Sequence, residues 1–225
     1  MLYNVLYLTV VQFHALKYQK QRFNIEFLYF FKNYSIIDLA IPKLLLSSAY
    51  PGAKDLDEHR RITRTIYDSG IEVFVNLMQP KELIRFTPYE PEIRQYAIQD
   101  DQKVEFVSFP IPDQYVCRDD QKVFEFCSHL CKRLKEDHQK ILIHCWGGHG
   151  RTGTIMSILI GMLFELEADD ALDYNYQLHK QRSRTKGRKS SLALCQREQV
   201  KNVLKMYEDQ QHCPTVSSVE NQTFD

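Results

Sequence analysis

No apolar stretch of this 225-residue chain is long enough to cross a bilayer, which takes about 20 residues of helix. The apolar start, Met1–Val11, is too short for that. It also lacks a basic flank before it and a small-residue cleavage site after it, so no signal peptide is expected. Charge of either sign is not in excess: 29 basic residues face 29 acidic ones, and nucleic acid is not an expected partner. The six cysteines form no CxxC pair and no Cys/His spacing suited to zinc, so neither a disulfide framework nor a metal is expected. They read as reduced thiols, which points to a cytoplasmic or nuclear protein. No cofactor is expected. Internal repeats and low-complexity tracts are missing too.

What remains is an ordinary core-forming composition, 44% hydrophobic and 26% charged, sized for one domain with extensions. Residues 1–35 are rich in Tyr, Phe and Lys and unlike the rest of the chain. They read as a helical extension packed on the domain, with a membrane-surface anchor as the alternative. Residues 36–210 read as the domain and 211–225 as a polar tail.

Within the domain, strand-like and helical segments alternate. Lys43–Ser47, Glu72–Leu77, Val104–Phe109 and Ile141–Cys145 read as strands. Asp55–Ser69, Asp119–Lys135, Thr152–Leu166, Asp169–Lys180 and Gln196–Tyr207 read as helices, the third nearly all apolar and therefore buried. This order predicts an α/β fold: a central mixed, mostly parallel sheet flanked by helices in three layers. Ligands in such sheets bind where strands end and loops lead into helices.

One of those junctions carries unusual chemistry: Ile141-Leu-Ile-His144-Cys145-Trp146-Gly147-Gly148-His149-Gly150-Arg151-Thr152. Glycines let successive N–H groups turn inward around an anion, and the start of a helix adds unpaired N–H groups and partial positive charge. Arg151 brings a planar fork that matches two phosphate oxygens. Such a field favours the thiolate, the nucleophilic form of cysteine. Spacing alone is weak evidence, because Cys127 and Arg133 are separated in the same way. That copy has no glycine and lies in a helical pattern, so its N–H groups are spent on the helix.

The segment His144–Thr152 resembles the signature loop of the protein tyrosine phosphatase superfamily, His-Cys, five residues, Arg-Ser/Thr, in its looser dual-specificity branch. Other segments match in order, covering about Ile36 to Tyr207. The resemblance implies that Cys145 is the nucleophile and that Trp146, Gly147, Gly148, His149, Gly150 and Arg151 cradle the phosphate. Phe109-Pro-Ile-Pro-Asp113 resembles the general-acid loop, which implies Asp113 as acid and then base. Asp119 and Asp120 are rival acids better suited to capping a helix. Thr152 is implied to bond the cysteine sulfur, and His144 to support the loop. Gln196-Arg-Glu-Gln199-Val resembles the segment whose glutamine positions water, with Gln196 preferred and Gln199 the alternative.

The implied activity is hydrolysis of phosphotyrosine, and of phosphoserine/threonine, in phosphorylated protein through a phosphocysteine intermediate. No match to the phosphotyrosine-recognition loop of tyrosine-specific members is visible, which favours a shallow cleft. A phosphoinositide is the alternative substrate, although the loop holds Trp146 and His149 where such enzymes carry lysines. The basic run Arg182–Lys189 could meet a polyanion, with a solvated loop as the plainer reading. A phosphate-binding module without catalysis is the third reading.

Overall fold

Residues 38–41, 44–180 and 192–212 are described in the computed structural model; the 1–35 extension, the 182–189 basic run and everything beyond residue 212 lie outside them. The strands are β1 (Asp38–Ile41), β2 (Leu45–Ser48), β3 (Val73–Asn76), β4 (Glu105–Ser108) and β5 (Ile141–His144). They form one sheet in the order β1-β2-β5-β3-β4. β1 runs antiparallel to β2, and β2, β5, β3 and β4 are mutually parallel. The expected mixed, mostly parallel sheet is what the chain forms.

The helices among the described residues are α1 (Leu56–Asp68), α2 (Pro80–Leu83), α3 (Glu90–Gln99), α4 (Asp120–Lys135), α5 (Gly150–Phe164), α6 (Ala168–Lys180) and α7 (Leu194–His212). Topology assigns them to faces. Crossovers from β2 to β3 and from β3 to β4 run one way along the sheet, and that from β4 to β5 runs the other. With right-handed crossovers, α1 and α3 then share one face and α4 the opposite one. The contacts agree: α1 packs on α3, while α5 packs on α4, α6, α7 and the strands β2 and β5. None of these helices is long and apolar enough to cross a membrane.

Sequence explains most of the boundaries. Asp55 caps α1 by accepting the Glu58 N–H (2.9 Å), and Asp119 caps α4 by accepting the Lys122 N–H (3.1 Å). β5 is fully buried between two neighbours and two helix layers, so Ile141, Leu142 and Ile143 need no polar alternation. Every residue of α5 from Arg151 to Met162 is buried. α7 runs past the expected end at Tyr207 to His212, so Gln211 and His212 belong to the helix rather than the tail. Glu208-Asp-Gln-Gln211 has no apolar residue to mark a period, yet Glu and Gln are good helix formers in an exposed final turn.

Register positions the site. Ser48, His144, Asn76 and Ser108 lie level at the carboxyl ends of the four parallel strands. Backbone bonds continue past them: Leu77 N–H to His144 O (2.9 Å), Phe109 N–H to Asn76 O (3.0 Å) and Ile111 N–H to Leu77 O (3.0 Å). The loops leaving β3, β4 and β5 are thereby tied together at one end of the sheet.

Candidate active site

Cys145 follows β5 directly and is 3% exposed; its sulfur accepts the Gly148 N–H at 3.2 Å. Two glycines make this turn possible. Gly148 has φ +68° and passes so close to β2 that a Cβ would stand 2.5 Å from Ser48 O. Gly150 opens α5 against Gln196, whose Nε2 would lie 2.7 Å from a Cβ there. The rest of the loop is held from outside. Trp146 O accepts the Tyr50 N–H (3.0 Å), and the Trp146 ring meets Phe86 edge-on at 5.3 Å. His149 Nδ1 is paired with His179 Nε2 of α6 at 2.8 Å.

Arg151 is 2% exposed, and its two terminal nitrogens are fully engaged. Nη1 donates to Glu82 Oε2 (2.7 Å) and Ile111 O (3.1 Å), and Nη2 to Glu82 Oε1 (3.0 Å) and Asp113 Oδ1 (2.9 Å). The fork expected to face a phosphate is thus shared with two carboxylates. Burial pushes the guanidinium's pKa down; the Glu82 bonds and the charges of Cys145 and Asp113 outweigh it and raise the value. Burial likewise pushes Glu82 up, and its bonds to Arg151 and the Gln79 N–H (2.8 Å) prevail, holding it below the usual carboxylate range.

Glu82 is the residue that sequence reasoning missed. Its only local signal is Gln79-Pro80-Lys81-Glu82, with proline at the first helical position and an acid that reaches back to the N-cap. Nothing in that signal points at an arginine far along the chain.

Asp113 lies beside Arg151 with its side chain 48% exposed. The stretch before it is fixed: Ile111 is buried, and Phe109 stacks on Phe126 of α4 at 4.1 Å. Asp119 caps α4, and Asp120 accepts from Gln199 (2.8 Å) and Asn202 (2.9 Å), so neither rival acid is turned to the arginine. Gln196 and Gln199 separate clearly. Gln196 borders Gly150 and donates to Tyr115 O (3.2 Å), whereas Gln199 donates to Cys117 O (2.6 Å) and Asp120.

Thr152 departs from expectation. Its hydroxyl is buried without a hydrogen-bond partner and does not bond the Cys145 sulfur, whose amide contact comes from Gly148 instead. His144 is held from both ring nitrogens: Nε2 pairs with Tyr89 OH (2.7 Å), and Nδ1 lies 3.4 Å from Cys145 O. Burial lowers its pKa to about 3, so it is neutral near pH 7. A cavity of about 670 Å³ lies behind the loop, lined by Thr152, Met156, Leu172, His179 and Lys201 among others; Cys145 and Arg151 do not line it. No group of three or more potential metal ligands occurs among the described residues.

The Swiss Army Knife protein DSP-PTPase phosphatase domain (PTP-SAK) family model matches residues 53–211, well over half of the chain. Over 117 residues the chain is 33% identical to "Putative tyrosine phosphatase 197R" of Invertebrate iridescent virus 6, a match spanning 50% of this chain and 39% of that relative. Three solved structures share the fold at low identity. The active form of Tk-PTP has a TM-score of 0.55 at 20% identity, covering 75% of this chain and 96% of that one. Kinase associated phosphatase with its catalytic cysteine replaced by serine gives 0.54 at 23%, covering 74% and 86%. PTPMT1 in complex with PI(5)P gives 0.58 at 13%, covering 75% and 95%. With the loop, the arginine and the sheet that presents them, this match over residues 53–211 means that the chain belongs to the DSP-PTPase phosphatase family.

Proposed function

We propose that the chain is a phosphoprotein phosphatase that hydrolyses phosphotyrosine, and phosphoserine/threonine, through a phosphocysteine intermediate. The observation that carries this reading is Cys145 at the strand-to-helix turn with the Gly148 N–H on its sulfur and Arg151 braced by Glu82. The phosphate replaces Asp113 on Arg151 Nη2, which frees Asp113 for the leaving group. The Cys145 thiolate attacks phosphorus, the P–O bond to the leaving oxygen breaks, and Asp113 gives that oxygen its proton. Loop amides and Arg151 hold the equatorial oxygens. Asp113 then takes a proton from water positioned by Gln196. That water attacks phosphorus, the P–S bond breaks, and phosphate and thiolate are released. The Thr152 hydroxyl, buried without a partner, supports the reading that it turns to the departing sulfur.

The test is phosphate release from phosphotyrosine and phosphothreonine peptides, without metal, by wild type and Cys145→Ser. Release from both peptides, lost in the variant, is expected; release from phosphotyrosine alone would narrow the specificity. Asp113→Asn is expected to slow phosphotyrosine hydrolysis by about 10²–10⁴-fold, and a substrate with a better leaving group far less. Equal slowing of both substrates would remove Asp113 from the acid role. The second reading, a phosphoinositide phosphatase, draws on the similar fold of the PTPMT1–PI(5)P complex. It gains ground if folded protein leaves both peptides intact and cleaves the lipid. Binding of phosphate without turnover of either substrate would leave a binding module.

A further inference from the structure

The turn that braces Arg151 also delivers a second cation to the signature loop. Glu82 is the third residue of α2, and the Arg85 N–H just past the helix bonds back to Glu82 O (3.2 Å). The Arg85 guanidinium stands over the Trp146 ring, 5.7 Å from its centroid, while Phe86 meets the same ring edge-on. Trp146 is the residue next to Cys145 and remains 41% exposed. One short turn therefore fixes two arginines: Arg151, through a buried carboxylate, and Arg85, through an aromatic face beside the nucleophile.

The two differ in what they hold. Arg64, Arg94, Arg133 and Arg151 each grip a carboxylate, whereas the exposed Arg85 guanidinium has no carboxylate partner among the described residues. A guanidinium held on an indole keeps its donors free, and losing little freedom on binding makes it a good reader of one planar anion. We propose that Arg85 is a specificity-determining residue that selects phosphopeptides bearing a carboxylate side chain next to the phosphorylated residue. The inference rests on the proposed phosphatase reading. A membrane surface is the weaker occupant for this turn. Anionic lipid attracts clusters of about four to eight basic residues, and the turn offers only Lys81 besides Arg85. Ile84, 85% exposed, adds an apolar contact suited to a peptide side chain.

The experiment compares kcat/KM for paired phosphotyrosine peptides with Glu or Gln beside the phosphorylated residue, using the full chain and its Arg85→Met and Arg85→Lys variants. Turnover of p-nitrophenyl phosphate by wild type reports separately on the phosphatase reading. The wild type is expected to prefer the Glu peptide by about three- to tenfold at low ionic strength. Arg85→Met, which keeps the apolar stem on Trp146, should bring the ratio to about one, and Arg85→Lys should keep part of it. Because each ratio is internal to one protein, a partly unfolded variant does not disturb it. A wild-type ratio near one, or an undiminished ratio in Arg85→Met, overturns the inference while p-nitrophenyl phosphate turnover leaves the phosphatase reading standing. Turnover of phosphatidylinositol monophosphate vesicles that falls in Arg85→Met, with no charge preference among peptides, assigns Arg85 to a lipid headgroup and overturns it equally. No turnover of any substrate removes both.

Discussion

Cys127 and Arg133 stand at the same spacing as Cys145 and Arg151, yet the backbone between them takes a different course. The upstream pair lies within α4, where six residues turn the helix by about 600°, leaving the two side chains about 120° apart. Cys127 faces the core, and burial pushes its thiol well above the ordinary value. Arg133 faces the rim, donating to Gln139 Oε1 (2.7 Å) and Glu105 Oε1 (3.1 Å). Between Cys145 and Arg151 the chain leaves a strand, reverses through Gly148 and enters a helix, so both ends converge. The spacing becomes a site only where the backbone abandons regular hydrogen bonding between the two residues and leaves N–H groups to face an anion.

The largest effect that tests this contrast is on phosphate release. Cys145→Ser is expected to lower it by about 10³-fold or more with little change in stability. Cys127→Ala should do the reverse, costing about 1–2 kcal/mol through the cavity it opens, with release per folded molecule retained. Loss of release in folded Cys127→Ala would mean that the upstream copy is no inert control.

The arginines allow a second comparison, because each holds a glutamate through both terminal nitrogens. Arg151 and Glu82 are both buried, whereas Glu105 is 55% exposed beside Arg133. Removing Glu82 leaves the buried Arg151 with only the half-exposed Asp113 and the Ile111 carbonyl, and Glu82→Ala is expected to cost about 3 kcal/mol, the low end for breaking a buried pair. Glu105→Ala should cost about 1 kcal/mol, since the buried Arg133 keeps Gln139 and water replaces the exposed carboxylate. Urea unfolding midpoints measure both; equal losses would show that Asp113 alone satisfies Arg151 once Glu82 is gone.

Much of this was legible beforehand where chemistry is local. Asp55 and Asp119 mark helix starts, Ile141–Ile143 reads as a buried strand, and the glycines around Cys145 announce a turn. Helix α3 was not, because Glu90–Gln99 buries only Ile93 and Ala97 and exposes Ile98, leaving no apolar stripe to count. Strand β1 falls in a run whose apolar residues suit either period. Glu82 was invisible for a different reason. In sequence it is one acid in a polar turn, and its contact with Arg151 exists only because β3 and β5 end level in the sheet. Asp113 reaches the arginine from the loop after β4, whose end is level with that of β3, a contact that the local sequence did not signal. The orphaned Thr152 hydroxyl has no sequence signal at all, since rotamer and burial decide it.

The remaining effect appears only as pH falls, and it concerns what stands behind Cys145 and has no counterpart at Cys127. His144 is buried against Tyr89 with its pKa lowered from 6.5 to about 3. Between those values the unfolded chain binds a proton that the folded one refuses, so stability rises with pH across that window. The contribution is complete above about pH 6.5 and is lost as pH falls toward 3. At pH 5 the loss is about 2 kcal/mol, from about 1.4 kcal/mol per pH unit. Urea midpoints at pH 5 and pH 7.5 measure it in wild type and in His144→Asn, which cannot titrate there. The variant is expected to be less stable at both pH values, having weakened the Tyr89 contact, but its difference between them should shrink by that amount. An unchanged difference would mean that His144 is protonated in the folded protein, and then the loop behind Cys145 is held by a charge rather than by a neutral ring.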